Sequence, residues 1–268
     1  MPFRRLVAFP LLWGALFLVL SALLSGTPAH GPFLRTEIEL VKILALAGGL
    51  AAAFAHGRGE YLRRAWFLVG ISTGFFLVRD LTLAPLGFES MGETQLLVLR
   101  GVLVILGNLT MVIGVYMLAR TWRVAELALP GQTPGRIAAV VAATALALAL
   151  AGPAAVAAGR RLFAGDLDAT AALVSALGDT VTLILIAPLL LTALALRGGM
   201  FFWPWALLTT SCVAWLLYDA FAVLGPALGL GADATRTAFE LCRALGCTFT
   251  FSAGLAQRWI ALGGSFRR

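Results

Sequence analysis

The sequence predicts an all-α membrane protein of eight transmembrane helices, arranged as two tandem, parallel four-helix repeats with N- and C-termini cytoplasmic. Composition is the first reason: 60% of the residues are hydrophobic, 12% are charged, and the mean hydropathy is +0.94. A soluble domain carries about 25% charged residues. The second reason is a series of apolar runs of membrane-spanning length. The third is a set of landmark residues that recurs at a nearly constant spacing.

Eight apolar runs have the length of a membrane span, which needs about 20 mostly apolar residues. They are separated by short connections that leave no room for an extramembrane domain. The runs are residues 6–25, 37–56, 65–87, 96–119, 137–158, 172–196, 201–224 and 238–261.

The first run has a second interpretation, as a secretory signal peptide. Arg4 and Arg5 precede it, and Thr27-Pro28-Ala29 has the small residues of a cleavage site. Its apolar core is longer than the about 7–15 residues of a typical signal peptide. We expect a retained helix, and cleavage remains the open alternative.

Basic residues predict the orientation. The net charge is +7, but the arginines lie in short loops rather than on one polar element, which argues against binding of nucleic acid. With a cytoplasmic N-terminus, most of them fall on the inner side, although Arg160 and Arg161 do not. We expect a multi-pass protein of the cell inner (cytoplasmic) membrane. The inner set is Arg4, Arg5, Arg58, Arg63, Arg64, Arg120, Arg123, Arg136, Arg197, Arg258, Arg267 and Arg268.

Landmark residues recur 137 to 140 positions apart and predict an internal repeat. Residues 1–130 would form the first four-helix membrane repeat and residues 131–268 the second. An even number of spans makes both copies cross in the same direction, so an axis along the membrane normal relates them. Coincidence between Leu- and Ala-rich helices is the alternative. The pairs are Glu39 with Asp179, Arg58 with Arg197, Trp66 with Trp205, Asp80 with Asp219, and Trp122 with Trp259.

Charged residues within the predicted spans need a reason, because each costs about 2.5–3.5 kcal/mol at a helix centre. In the predicted orientation they all lie in the outer half of the membrane. They are Glu37, Glu39, Lys42, Arg79, Asp80, Arg100, Asp179, Asp219, Glu240 and Arg243.

Two interpretations of these charges remain open. One is ion pairing between helices, with Glu37 and Arg100 reaching the membrane interface. The expected pairs are Asp219 or Asp179 with Arg243, Asp80 with Arg100, and Glu39 with Lys42. The other is a cavity open to the outer face that binds an ion or a small polar ligand. Its candidate residues are Asp179, Asp219, Tyr218, Arg243, Glu39, Asp80, Arg79 and Lys42, of which Asp179 and Asp219, well inside their spans, are the leading candidates.

Other chemistry has little support in the sequence. The three cysteines form no CxxC motif, and both histidines lie at the ends of apolar runs. No HExxH, GxSxG or Walker motif occurs. We therefore predict no metal, no cofactor and no catalytic residue. Gly48 and Gly49 predict close helix packing, and Pro188 predicts a kink in the sixth span.

Part of the second half resembles a known type of membrane region. The residues are Leu177-Gly178-Asp179, Pro188-Leu189-Leu190-Leu191, Arg197-Gly198-Gly199 and Trp215-Leu216-Leu217-Tyr218-Asp219. Over roughly 45 positions they resemble the multi-span N-terminal sensor regions of bacterial histidine kinases and diguanylate cyclases. The resemblance implies sensing in or outside the membrane and signal transduction to a cytoplasmic output domain. This sequence reaches Arg268 without such a domain. The resemblance therefore implies an isolated sensor module or a subunit that signals through a partner.

Three functions follow, in order of preference. The first is a non-enzymatic membrane sensor or interaction module that binds a partner membrane or signalling protein, with a homo-oligomer as an open alternative and membrane lipids around it. The second is a small secondary transporter of an ion or small polar solute. The third is a membrane-embedded lipid-modifying enzyme, which would use an acid as general acid or base.

Overall fold

The structure, a computed structural model, describes residues 3–82, 91–166 and 169–263, without the side chains of residues 219 and 222–227. The described part is helical and contains no strand, which confirms the predicted all-α class. The helices are α1 (Phe3–Leu24), α2 (His30–Phe54), α3 (Tyr61–Leu81), α4 (Glu93–Ala119), α5 (Thr121–Val124), α6 (Thr133–Phe163), α7 (Ala169–Ile184), α8 (Ile186–Ala195), α9 (Phe202–Ala227) and α10 (Ala232–Ala261).

Four stretches are both long enough and apolar enough to cross a membrane: α1, α4, α6 and the combined α7–α8. Their large apolar side chains are widely exposed, as in Leu23 of α1 and Val141 of α6. Such exposure is unfavourable in water and suits contact with lipid. The chain therefore has the helices of a membrane protein.

The sixth predicted span consists of two helices, because α7 ends at Ile184 and α8 begins at Ile186. Pro188 explains the interruption: proline has no N–H to donate, and its ring crowds the carbonyl of Ile184, four residues earlier. The kink predicted at Pro188 is confirmed.

Six helical segments contact one another in a closed ring. In order around the ring they are α2, α3, α4, α7–α8, α9 and α10, and α10 returns to α2. The other two long helices pack outside it, α1 mainly against α10 and α6 mainly against α7. The ring encloses the site described below.

Glycines allow the closest approach in this ring, where α2 crosses α10. A Cβ atom on Gly254 would collide with the backbone carbonyl of Gly48, and one on Gly48 would lie 2.6 Å from Cα of Phe251. Gly49 meets Gly70 of α3 in the same way. The close packing predicted at Gly48 and Gly49 is confirmed, and it places α2 backbone-to-backbone with two neighbours.

Candidate functional site

A cavity of about 160 Å³ lies at the centre of the helical ring. All six ring segments contribute to its wall, which mixes cationic, polar, aromatic and aliphatic groups. The lining residues are Lys42, Thr73, Phe76, Arg79, Asn108, Met111, Val115, Ser175, Asp179, Thr182, Leu183, Leu208, Ser211, Cys212, Trp215, Tyr218, Arg243, Cys247 and Thr250.

Two cations of the cavity wall share one carboxylate. The Lys42 ammonium of α2 forms an ion pair with Asp80 of α3, and the side chains are only 6% and 10% exposed. Arg79 donates from Nε to Oδ1 of Asp80 over 2.8 Å. Lys42 and Arg79 line the cavity, whereas Asp80 is not part of its wall. The Asp80 carboxylate therefore binds both cations without itself facing the cavity.

A third cation, Arg243 of α10, is fixed by an aromatic residue of α9. Its Nη2 donates to the Tyr218 hydroxyl over 2.7 Å, and the guanidinium carbon lies 4.9 Å from the centroid of the same ring. Its Nη1 is 3.3 Å from Oε2 of Glu240, one helical turn away. These contacts combine a hydrogen bond, a cation–π contact and an ion pair.

Neutral polar groups complete the wall. Asn108 of α4 donates from Nδ2 to the carbonyl of Val104 over 2.9 Å. Ser211 of α9 donates to the carbonyl of Gly246 over 2.7 Å and lies 2.8 Å from the Thr250 hydroxyl.

Five of the eight predicted binding residues line this cavity: Lys42, Arg79, Asp179, Tyr218 and Arg243. Asp80 contacts two of them, Lys42 and Arg79, but does not line the cavity. Glu39 is half-buried but is not a lining residue. The prediction for Asp219 falls outside the described side chains.

The predicted ion pairs need correction. The carboxylate partner of Lys42 is Asp80 on the neighbouring helix rather than Glu39. Arg100 donates to Thr82, from Nε to Oγ1 over 3.1 Å and from Nη2 to the carbonyl oxygen over 2.6 Å, and not to Asp80. Two cations already contact Asp80, and Arg100 instead binds the carbonyl of buried Thr82, directly after α3.

Glu37 was expected to reach the membrane interface and instead lies buried between helices, 8% exposed. Its Oε1 accepts a hydrogen bond from the Trp13 indole of α1 over 2.7 Å. An indole N–H on a neighbouring helix satisfies the carboxyl group inside the protein. The expectation of snorkelling was wrong.

Sequence reasoning missed the uncharged part of the wall, for which a signal did exist. Five pairs of lining residues are separated by exactly the spacing of Trp66 and Trp205, which is 139 positions. The pairs are Thr73 with Cys212, Phe76 with Trp215, Arg79 with Tyr218, Asn108 with Cys247, and Met111 with Thr250. Extending the spacing from landmark residues to every position of the helices would have found them.

The described residues contain no group of three or more His, Cys, Asp or Glu side chains that could hold a metal ion. His30 lies 2.9 Å from the hydroxyl of Ser21, and His56 lies between Glu60 and Gln257 at 3.1 Å from each. Both histidines are at the ends of helices, as their sequence positions predicted.

Compared with known proteins, the chain matches no family model, no curated protein and no solved structure. Its function is therefore argued from the geometry of the cavity and the ring around it.

Proposed function

We propose that the chain is an integral membrane sensor or interaction module that binds a small polar ligand in its central cavity and acts through a partner protein. The observation that carries the proposal is the cavity itself, about 160 Å³ in volume and enclosed by all six segments of the ring. Protein interiors are close-packed, and voids larger than a water molecule are few. Small-molecule sites are typically cavities whose mainly apolar walls carry a few convergent polar groups.

Eight membrane spans fit this proposal. Beyond the four apolar stretches, α2, α3, α9 and α10 contain 25, 21, 26 and 30 residues. At about 1.5 Å per residue each could cross a hydrocarbon core of about 30 Å. Buried charges lower their hydropathy, and Lys42, Asp80 and Arg243 lie inside the ring, away from lipid.

The order of helices in the ring supports two parallel repeats. Numbered as predicted spans, the helices follow one another around the ring in the order 2, 3, 4, 6, 7, 8. Replacing each span by its counterpart in the other repeat gives 6, 7, 8, 2, 3, 4, which is the same cyclic order. Equivalent contacts recur as well. A Cβ on Gly107 would lie 2.9 Å from the Phe76 ring, and one on Gly246 would lie 2.8 Å from the Trp215 indole. The two glycines are 139 positions apart, and so are the two aromatic residues. The cavity would lie on the axis between the repeats.

The proposed orientation keeps both termini cytoplasmic, with the cell inner membrane as location. Arg79 lies in the last turn of α3 and Arg243 in the first half of α10, toward the same end of the bundle, and Lys42 lies at the middle of α2. The opposite end carries the arginine-rich connections, including Arg58, which favours placing that end in the cytoplasm. The cavity would then open toward the outer face.

Native cysteines provide the test of an accessible ligand cavity. All three cysteines are buried. Cys212 and Cys247 line the cavity, whereas Cys242 of α10 is not part of its wall. Single-cysteine variants in right-side-out vesicles should react with methyl methanethiosulfonate at Cys212 and Cys247, and much more slowly at Cys242. Equal rates at all three positions, or no reaction at the two lining positions, would contradict the proposal.

The partner is tested separately. We expect a specific protein to co-purify with the full chain in mild detergent, and this association to change when Arg243→Gln perturbs the cavity. Arg161→Gln removes an exposed ion pair with Asp166 and is the matched control. If the native chain is stable and purifies without a partner protein, the result argues against the sensor role.

A secondary transporter is the second candidate, because the interruption between α7 and α8 lies next to the lining residues Thr182 and Leu183. Transporters often place interrupted helices at a site between repeats. Proteoliposomes should then show solute flux that Asp179→Asn and Asp219→Asn abolish. Flux that these substitutions leave unchanged would rule this candidate out.

A further inference from the structure

We propose that the ligand of the central cavity is a small organic monoanion of the carboxylate type, with its acid group between Lys42, Arg79 and Arg243 and its apolar body against Trp215. This inference rests on the ligand-binding role proposed above and names the chemical class of the ligand.

The first argument is which charges face the cavity. Among the described charged side chains, three cations and one acid line it, namely Lys42, Arg79, Arg243 and Asp179. Asp80 and Glu240, the carboxylates that pair with these cations, are not lining residues. A ligand in the cavity therefore meets these cations without Asp80 or Glu240 in between.

The cations also keep unused hydrogen-bond donors. An ammonium group has three N–H donors and a guanidinium five. Among the described side chains, Lys42 forms a hydrogen bond with Asp80 alone. Asp80 engages Nε and Nη2 of Arg79, which leaves Nη1. Donors in a water-poor site are stabilised by an acceptor, and a carboxylate accepts from several donors at once.

The three cations converge although they come from three helices. Lys42 and Arg79 share the Asp80 carboxylate, Arg243 pairs with Glu240, and all three cations line the same cavity. Two carboxylates thus pair with these three cations, which leaves room for a further negative group on the cavity side.

The pseudo-symmetric halves of the wall differ in charge, which gives the ligand one orientation. Arg79 of the first half is matched by Tyr218 in the second, 139 positions later, and Lys42 is matched by Thr182, 140 positions later. The first half therefore presents two cations where the second presents hydroxyl groups. An acid group is favoured at the first half, and the rest of the ligand extends toward the second.

Size and lining describe the rest of the ligand. An apolar cavity of about 150 Å³ holds benzene, and this cavity has about 160 Å³. Phe76, Met111 and Trp215 supply an aromatic and thioether surface for an apolar body. The volume suits roughly six to ten non-hydrogen atoms, too few for a lipid chain and too many for a halide ion.

Asp179 limits the ligand to one negative charge. It lies on α7, which is opposite α2 in the order of the ring. A second anionic group extending toward that wall would meet a carboxylate, and like charges in a low-dielectric site repel strongly. A monoanion avoids this contact.

The test uses four probes on the purified full chain: benzoate, benzamide, benzylammonium and chloride, with affinity measured by calorimetry. The three organic probes are nearly equal in size and differ in charge. We expect benzoate to bind at least about tenfold more tightly than benzamide, as a charge-assisted hydrogen bond allows, and benzylammonium to bind more weakly still. Lys42→Gln should weaken benzoate binding about tenfold and leave benzamide binding nearly unchanged, whereas Arg161→Gln should affect neither.

Each other outcome overturns the inference. Benzamide or benzylammonium binding as tightly as benzoate would assign the cavity a neutral or cationic ligand, and chloride binding alone would exclude an organic one. If no probe binds while Cys212 and Cys247 react with the thiol reagent, the ligand class is wrong and the ligand-binding role survives. If no probe binds and both thiols are unreactive, the proposed function fails with it. The wild-type series decides the question even if Lys42→Gln does not fold.

Discussion

The two places where the halves of the chain meet are built differently. On one side α2 crosses α10, and glycines bring the backbones together at Gly48 and Gly254. On the other side α4 meets α7 and α8, where the positions 139 residues away are Ala187 and Val115. We call these the tight seam and the wide seam. Ala187 and Val115 carry the side chains that Gly48 and Gly254 lack, so the wide seam has no equivalent glycine contact. Val115 also lines the cavity.

Hydrogen bonds and adjustable side chains join the wide seam instead of backbone contact. Thr192 of α8 donates to the carbonyl of Ala119 over 3.0 Å. A Cβ on Gly178 of α7 would lie 2.6 Å from Oδ1 of Asn108. Side chains can rotate and backbones in a helix cannot, so we expect the wide seam to tolerate change better than the tight seam.

The largest expected effect is at the tight seam. Gly254→Val places methyl groups against the Gly48 carbonyl, and because the obstacle is backbone, the helices must separate. We expect a loss of about 3 kcal/mol in the free energy of unfolding, measured by thermal unfolding in detergent. Gly159→Val is the control, since nothing lies within 4 Å of a Cβ there. Equal stability of the two variants would show that the seam is not tight.

Asp80→Asn tests whether charge as well as packing fixes α2. The substitution leaves Lys42 and Arg79 without their shared carboxylate, and breaking a buried ion pair costs about 3 kcal/mol. Arg79 is 33% exposed, so water screens part of this loss, and we expect an effect below that of Gly254→Val. Asp166→Asn, at an exposed pair with Arg161, should cost less than about 1 kcal/mol. Similar unfolding midpoints for both would contradict the role of Asp80.

Gly178→Ala should have an intermediate effect at the wide seam. The added methyl group meets the Asn108 side chain, whose amide can turn away, so we expect a loss of about 1 kcal/mol. Removing most of the obstacle should restore most of the stability: Gly178→Ala should cost less in an Asn108→Ala background than in the native chain, although the Cβ of residue 108 stays 3.0 Å from the added methyl group. A double variant as unstable as the sum of the single variants would place the clash elsewhere.

Thr192→Val is expected to have the smallest effect. Valine keeps the shape of threonine but cannot donate to the Ala119 carbonyl, and one such hydrogen bond contributes about 1 kcal/mol. Thr144→Val is matched to it, because Thr144 donates only within its own helix, to Val140. The difference between their free energies of unfolding isolates the bond between helices. If that difference is zero, the bond does not contribute to the wide seam.

The sequence predicts the helices well because membrane-spanning length and apolar composition are local properties. Residues 96–119 were expected to form a span, and α4 covers Glu93–Ala119. Buried charges were also found, since a charge such as Lys42 is visible in any apolar run. Partners were not found, because they depend on how helices rotate about their axes. Lys42 thus pairs with Asp80 on the next helix instead of Glu39, one turn away.

Uncharged lining residues are a different case. Trp215 lies well inside its predicted span, but its local sequence does not show which neighbouring helix it faces. Its function in the cavity wall follows from its position relative to Phe76, which is information about two distant helices together. A repeat is therefore the only feature of a single sequence that could have identified it.

The tight seam also has a consequence for biosynthesis. It joins Gly48 to Gly254, more than 200 positions later, so the ring cannot close until α10 has been synthesised. Contacts between distant parts of a chain form slowly, since the long loop must first be closed. Docking of α10 on α2 is thus the step that completes the wall of the cavity.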